Sequence, residues 1–295
     1  MREERRFGDL EERLRGGVAE IRYAGLKDLS DPDQIRRIED LLVAICLEDP
    51  WGPNRSEAAR ALGTLWPASS VRKAYEACLQ AEPYVANSVL GILGEKMDAA
   101  AVCFLGGQFA EAENARLRYS ILQSFCGAPE PVMQAFVLES GACEDEDERV
   151  RALGVSLLSR ANNGTLKSLF LARLKDESQR VRAGAVEALS GICGPLELLE
   201  LLPPYLEDSS NRVQANALVP LLKAGSLSAW HKLCEMVNHT CGIFRSSAAY
   251  VLGELIPTPS VTLHLSSLAK DRDPAVRTRA LASAQRLSLT LPQEG

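Results

Sequence analysis

A chain of 295 residues with 46% hydrophobic but only 5% aromatic content can bury a sizeable core, built mainly from aliphatic and small side chains. Its formal net charge of −6 argues against a general nucleic-acid binder, which is expected to be basic overall. The first twenty residues mix charges of both signs, and no run approaches ~20 consecutive apolar residues, so a cytoplasmic protein without membrane insertion is expected.

Phe7, Leu10 and Leu14 fall on one face of an otherwise polar segment, which predicts a capping helix over about 7–15. From there an apolar or spacer residue, followed mostly by Arg, recurs at Ile21, Asn54, Val85, Leu117, Val150, Val181, Val213, Phe244 and Val276, with spacings of 33, 31, 32, 33, 31, 32, 31 and 32. A fixed period of this length marks a repeat architecture. The clearest unit covers 174–189, where Val181, Ala185, Val186, Ala188 and Leu189 fit a helix of period 3.6. A first helix precedes it at Leu166, Leu169, Phe170, Leu171 and Leu174, and Gly or Pro clusters separate successive units. No linker breaks this register, which predicts one solenoid over 1–289 and a frayed tail over 290–295.

The repeated unit resembles the HEAT repeat family in its short bacterial form, whose signature is Leu-x-Asp followed five residues on by Val-Arg-x-x-Ala. Asp49, Asp145, Asp176, Asp208 and Asp271 keep the acid, and Arg22, Arg55, Arg118, Arg151, Arg182, Arg245 and Arg277 keep the base, whereas Ala86 and Gln214 depart from it. The resemblance covers roughly 7–289 and implies an all-α, right-handed α-α superhelix of about nine helix pairs, armadillo-like in its helical packing. It also implies a ladder of Asp–Arg contacts running from repeat to repeat. The Asp stands just before a helix N-terminus, where a carboxylate accepts orphan N–H groups.

A second set of arginines stands one place before the anchor, at Arg116, Arg149, Arg180 and Arg212. Stacked along one edge they can grip carboxylates or phosphates bidentately; the alternative is local pairing with acids such as Asp147, Asp176 and Asp208. Tyr23, Tyr119 and Tyr250 are expected near the concave surface, where aromatic anchors serve recognition, although packing against the next repeat explains them as well. Trp51 is expected in a turn within its repeat. The run of five acids at 144–148 has neither the Gly nor the ligand alternation of a calcium loop and reads as a solvated turn. His231, Cys234, His239 and Cys241 are zinc-ligand types at a spacing that structural zinc sites do not favour. Cys46, Cys78, Cys103, Cys126, Cys193 and Cys234 occupy apolar helix positions and read as buried free thiols.

No nucleophile elbow, P-loop, dinucleotide fingerprint or His-Glu-x-x-His occurs. The di-iron hydroxylases of this architecture use His-Glu dipeptides, but His231, His239 and His264 precede Lys, Thr and Leu. The reading is therefore a non-enzymatic scaffold or adaptor, without cofactor, that binds a partner protein or acidic peptide along its concave face. A bilin-lyase-like or chaperone-like protein is the alternative implied by repeat length. HEAT-like DNA glycosylases form a third class, opposed by the acidity and by the non-basic positions Ser56, Asn87, Ala152, Ala183, Ala215 and Ser246, which are expected on the concave face.

Overall fold

A computed structural model of the chain describes residues 2–161 and 164–290. The regular elements among them are all helical, and the fold is that of a helical solenoid. The chain forms two compact units, Met1–Ala142 and Cys143–Gly295, each a stack of helix pairs. Apart from Thr290, the expected tail over 290–295 lies outside the described residues.

The first unit holds α1 (Arg2–Arg15), α2 (Ala19–Asp28), α3 (Pro32–Arg37), α4 (Glu39–Glu48), α5 (Gly52–Leu62), α6 (Ser69–Gln80), α7 (Pro83–Lys96), α8 (Ala99–Glu111), α9 (Ala115–Ser124) and α10 (Glu130–Glu139). The capping helix begins earlier than the expected 7–15, at Arg2. Its face of Phe7, Leu10 and Leu14 is buried against α2. Gly25 allows the approach, since a Cβ there would lie 3.1 Å from Leu14 Cδ2. Second helices α2, α5, α7 and α9 pack in succession. Cys46 and Cys78, on the first helices α4 and α6, bring their sulfurs to 3.3 Å inside the core. The hydrogen bond with Cys78, together with burial, pushes the Cys46 thiol far above its ordinary pKa.

The second unit holds α11 (Glu148–Ser159), α12 (Lys167–Arg173), α13 (Gln179–Ile192), α14 (Pro195–Leu201), α15 (Asn211–Lys223), α16 (Leu227–Val237), α17 (Gly242–Leu252), α18 (Pro259–Leu268) and α19 (Pro274–Arg286). Here the second helices α11, α13, α15, α17 and α19 pack side by side, and the anchors Val150, Val181, Val213 and Val276 are fully buried between them. Two anchors depart from this pattern: Phe244 on α17 is half-buried, and Ile21 in the first unit is exposed, since α2 buries Gly25 and Leu26 instead.

An arginine just inside the second helices other than α7 and α15 performs two tasks. Its Nη1 donates to the carbonyl six residues back: Arg22 to Gly16, Arg55 to Asp49, Arg118 to Ala112, Arg151 to Asp145, Arg182 to Asp176, Arg245 to His239 and Arg277 to Asp271, all at 2.7–2.9 Å. This closes the turn between the two helices of a pair. Where a further repeat of the same unit follows, the same guanidinium reaches its acid: Arg22 to Asp49, Arg55 to Glu82, Arg151 to Asp176, Arg182 to Asp208 and Arg245 to Asp271. Each Asp also accepts the N–H two residues on, as Asp145 does from Asp147 and Asp271 from Asp273.

The exceptions obey the same chemistry. Gln214 Nε2 still donates to the Asp208 carbonyl at 2.7 Å, but the next repeat offers His239 where its acid would be. Ala86 can make neither bond, and Ala112 stands at the acid position after it. Base and acid are lost together, which avoids a half-buried charge without its partner.

Candidate functional site

The arginines before the anchors take one common place, the second residue of α9, α11, α13 and α15 for Arg116, Arg149, Arg180 and Arg212. All four are exposed. A cation in the first turn opposes the helix dipole, a disadvantage of ~0.3–1 kcal/mol. The preceding residue softens it in three cases: Asn114, Asp147 and Ser178 cap the backbone N–H of Arg116, Arg149 and Arg180. Their side chains differ. Arg149 folds back on Asp147, with Nη2 at 2.9 Å from Oδ2, and this guanidinium holds the Asp147 carboxyl down at about 2. The side chains of Arg116, Arg180 and Arg212 meet no acid among the described residues.

In the first unit Arg116 lines a small cavity of about 100 Å³ with Asn87, Asn114 and Ser120. Tyr23 packs edge-on against Trp51 at 5.4 Å with Lys27 over its ring, so that pair is engaged within its own unit. Tyr119 is half-buried on α9.

The second unit brings two of the expected residues together. Arg212 and Tyr250 line a cleft of about 490 Å³ across the second helices, joined by Glu187, Asn216, Val219 and Arg279. Glu187 comes from α13, Arg212 and Asn216 from α15, Tyr250 from α17 and Arg279 from α19, so each successive helix contributes. Burial, with Glu254 and Glu187 nearby, raises the Tyr250 hydroxyl above its ordinary value, and Arg286 and Arg279 oppose the rise. Arg286 is itself paired with Glu254. Arg279 has no acid against it among the described residues.

Two sequence expectations need correction here. Ala183 is fully buried and Ala215 forms only the cleft floor, so in these repeats the more open position is the residue after each, Gly184 and Asn216. The same register is held by the half-buried Leu153 on α11, by Ser247 on α17 and by the exposed Arg279 on α19. A helix advances 100° per residue, and one step turns a contact position into an open one. Cys103 is exposed rather than buried, and Cys126, Cys193 and Cys234 are half-buried. Of the zinc-type string, Cys234 lies 3.9 Å from His264 instead, and His239 accepts the Cys241 N–H. No group of three or more potential metal-ligating side chains occurs among the described residues.

Residues 137–222 match the family model for HEAT repeats. No curated protein matches the chain. Among solved structures, YibA from E. coli is similar over 94% of this chain and 99% of its own, at 18% identity and a TM-score of 0.54. Kap121p bound to Pho4p is similar over 95% of this chain at 16% identity and a TM-score of 0.56, and Kap121p bound to the extreme C-terminus of the protein phosphatase Cdc14p over 96% at 15% and 0.56. This chain spans 37% of the length of Kap121p in the first of these complexes and 38% in the second. At such identities the likeness is one of fold, the HEAT-repeat solenoid.

Proposed function

We infer that this HEAT-repeat chain is a non-enzymatic, cytoplasmic scaffold or adaptor that binds an acidic segment of a partner protein across the second helices of its second unit. The observation that carries the reading is the exposure of Arg212 and Arg279 in the cleft, and of Arg180 at the same helix position as Arg212, with no ion pair to an acid among the described residues. Two of them, Arg180 and Arg212, stand where the helix dipole disfavours a cation, and residues that violate a local preference are characteristic of functional sites. Arginine is suited to the task, because its planar fork pairs with carboxylates bidentately. The Kap121p structures supply an analogy: there a HEAT solenoid holds Pho4p or the extreme C-terminus of Cdc14p. No helix among the described residues is long and apolar enough to cross a membrane, which is compatible with this role.

The test is capture of partners from native lysate, identification by mass spectrometry, and titration of the purified partner. Arg180→Glu with Arg212→Glu is expected to weaken affinity by at least about tenfold, equivalent to ~1.4 kcal/mol, and to flatten its salt dependence. Helical content should be unchanged. Equal affinity for wild type and double variant would overturn the reading.

A further inference from the structure

The cleft of the second unit is not uniformly cationic. Arg212 and Arg279 enter from α15 and α19, whereas Glu187 enters from α13, at the opposite end of the row from α19. Glu187 is exposed and has no ionic partner among the described residues. Arg286 and Glu254, the other charges around Tyr250, satisfy each other. Among the described residues the unpaired Glu187 and Arg279 therefore stand at the two ends of the row, with Arg212 on the helix beside Glu187 and the half-buried Tyr250 on the helix beside Arg279.

Pro220 adds a second acceptor. It lies inside α15 and carries no N–H, so the carbonyl of Asn216, four residues earlier, lacks the donor that an ordinary helical residue would supply. Asn216 and Pro220 both line the cleft. The Asn216 side-chain Nδ2 donates to the Ala183 carbonyl at 3.0 Å, and its Oδ1 stands as a further acceptor beside the backbone oxygen. Val219 and the Tyr250 ring provide apolar wall.

An acid in a strip that serves only anions weakens that strip, since like charges across an interface repel. Glu187 becomes an asset when the ligand brings a cation for it. We propose that the cleft binds a bipolar polypeptide segment, a basic side chain meeting Glu187 and the Asn216 carbonyl, an acidic side chain meeting Arg212 and Arg279, and an apolar or aromatic residue lying against Tyr250. The partner is thereby read in one direction along the unit. This deepens the protein-binding reading above and rests on it. Three helix spacings of ~8–10 Å, shortened by the reach of Glu and Arg side chains, correspond to about six extended residues at ~3.3 Å each.

A random heptapeptide library displayed on phage, selected against the immobilised full chain, tests the proposal. Wild type is expected to enrich peptides in which a basic and an acidic residue co-occur at a fixed separation and order. Glu187→Gln, an exposed and nearly isosteric change, should abolish enrichment of the basic residue while retaining that of the acidic one, and should weaken the best bipolar peptide about tenfold. Acidic peptides enriched without a basic residue, and bound more tightly by Glu187→Gln than by wild type, would overturn the bipolar assignment and leave the protein-binding reading standing. Selection without acidic residues in either protein would overturn both.

Discussion

Arg151 grips both carboxylate oxygens of Asp176, with Nε and Nη2 each at 2.9 Å, while its Nη1 holds the carbonyls of Asp145 and Glu146 at 2.8 and 3.0 Å. One guanidinium therefore closes the turn of its own repeat and fastens the next. Both side chains are nearly buried, at 8% and 6% exposure, so removing Arg151 leaves the Asp176 carboxylate buried without its ion pair. Arg151→Ala is expected to destabilise the second unit by about 3–5 kcal/mol in urea unfolding. A cost under about 1 kcal/mol, the range of surface pairs, would show that the ladder is incidental.

Acid should dismantle the same ladder. Arg245 holds the Asp271 carboxyl below its ordinary range, and at Asp49, Asp176 and Asp208 burial pushes the other way but is outweighed by hydrogen bonds from the arginines and from backbone N–H groups. A folded-state pKa below the unfolded one contributes stability that is fully present above the unfolded value, ~3.9 for Asp, and is lost as pH falls through the depressed folded value. Urea midpoints are thus expected to stay flat from neutral pH down to about 5 and to fall steeply below about 4. Asp271→Asn should start lower and show a shallower acid limb; parallel limbs for variant and wild type would remove Asp271 from the account.

The helix pairs were legible because their signal repeats: an apolar anchor every 31–33 residues is redundant, and a single departure such as Gln214 does not hide it. The cleft was not legible for the opposite reason. Arg279 stands three residues after Val276, a place held elsewhere in the second unit by Leu153, Gly184, Asn216 and Ser247, so nothing recurs to mark it. Which of two adjacent residues faces open space also depends on how closely neighbouring helices approach, and this is why Ala183 and Ala215, expected on the concave face from sequence, are buried. The joint loss of Ala86 with Ala112 and of Gln214 with His239 was present in the sequence, but it acquires meaning only once each Arg is seen to reach the acid of the following repeat.

Close helix approach can be tested at two glycines with opposite surroundings. A Cβ on Gly253 would fall 2.7 Å from Ser283 Cβ and 3.2 Å from its Cα, so α17 and α19 would have to separate. Gly253→Ala is expected to cost about 1–3 kcal/mol through overpacking. Gly91, in the exposed interior of α7, has nothing within 4 Å of the added methyl group. There Gly91→Ala is expected to stabilise by about 0.5–1 kcal/mol, through the reduced freedom of the unfolded chain. Thermal unfolding of the two variants should move in opposite directions, and a shared direction would contradict the packing described.

The exposed arginines of the second unit should contribute unequally to partner binding, in an order set by what each already touches. Arg149 is held by Asp147 through two side-chain hydrogen bonds, so a ligand carboxylate must compete with an existing partner. Arg180 has no acid to give up, and Arg212 adds to this freedom a place in the cleft beside Tyr250. A charge-assisted bond to a ligand contributes about 1.5–3 kcal/mol where no internal bond is surrendered and little where one is exchanged for another. Titration of an acidic partner with Arg149→Gln, Arg180→Gln and Arg212→Gln is therefore expected to show losses that increase in that order, with Arg149→Gln within about twofold of wild type. A loss at Arg149 equal to that at Arg212 would mean that the Asp147 pairing opens freely and does not rank these sites.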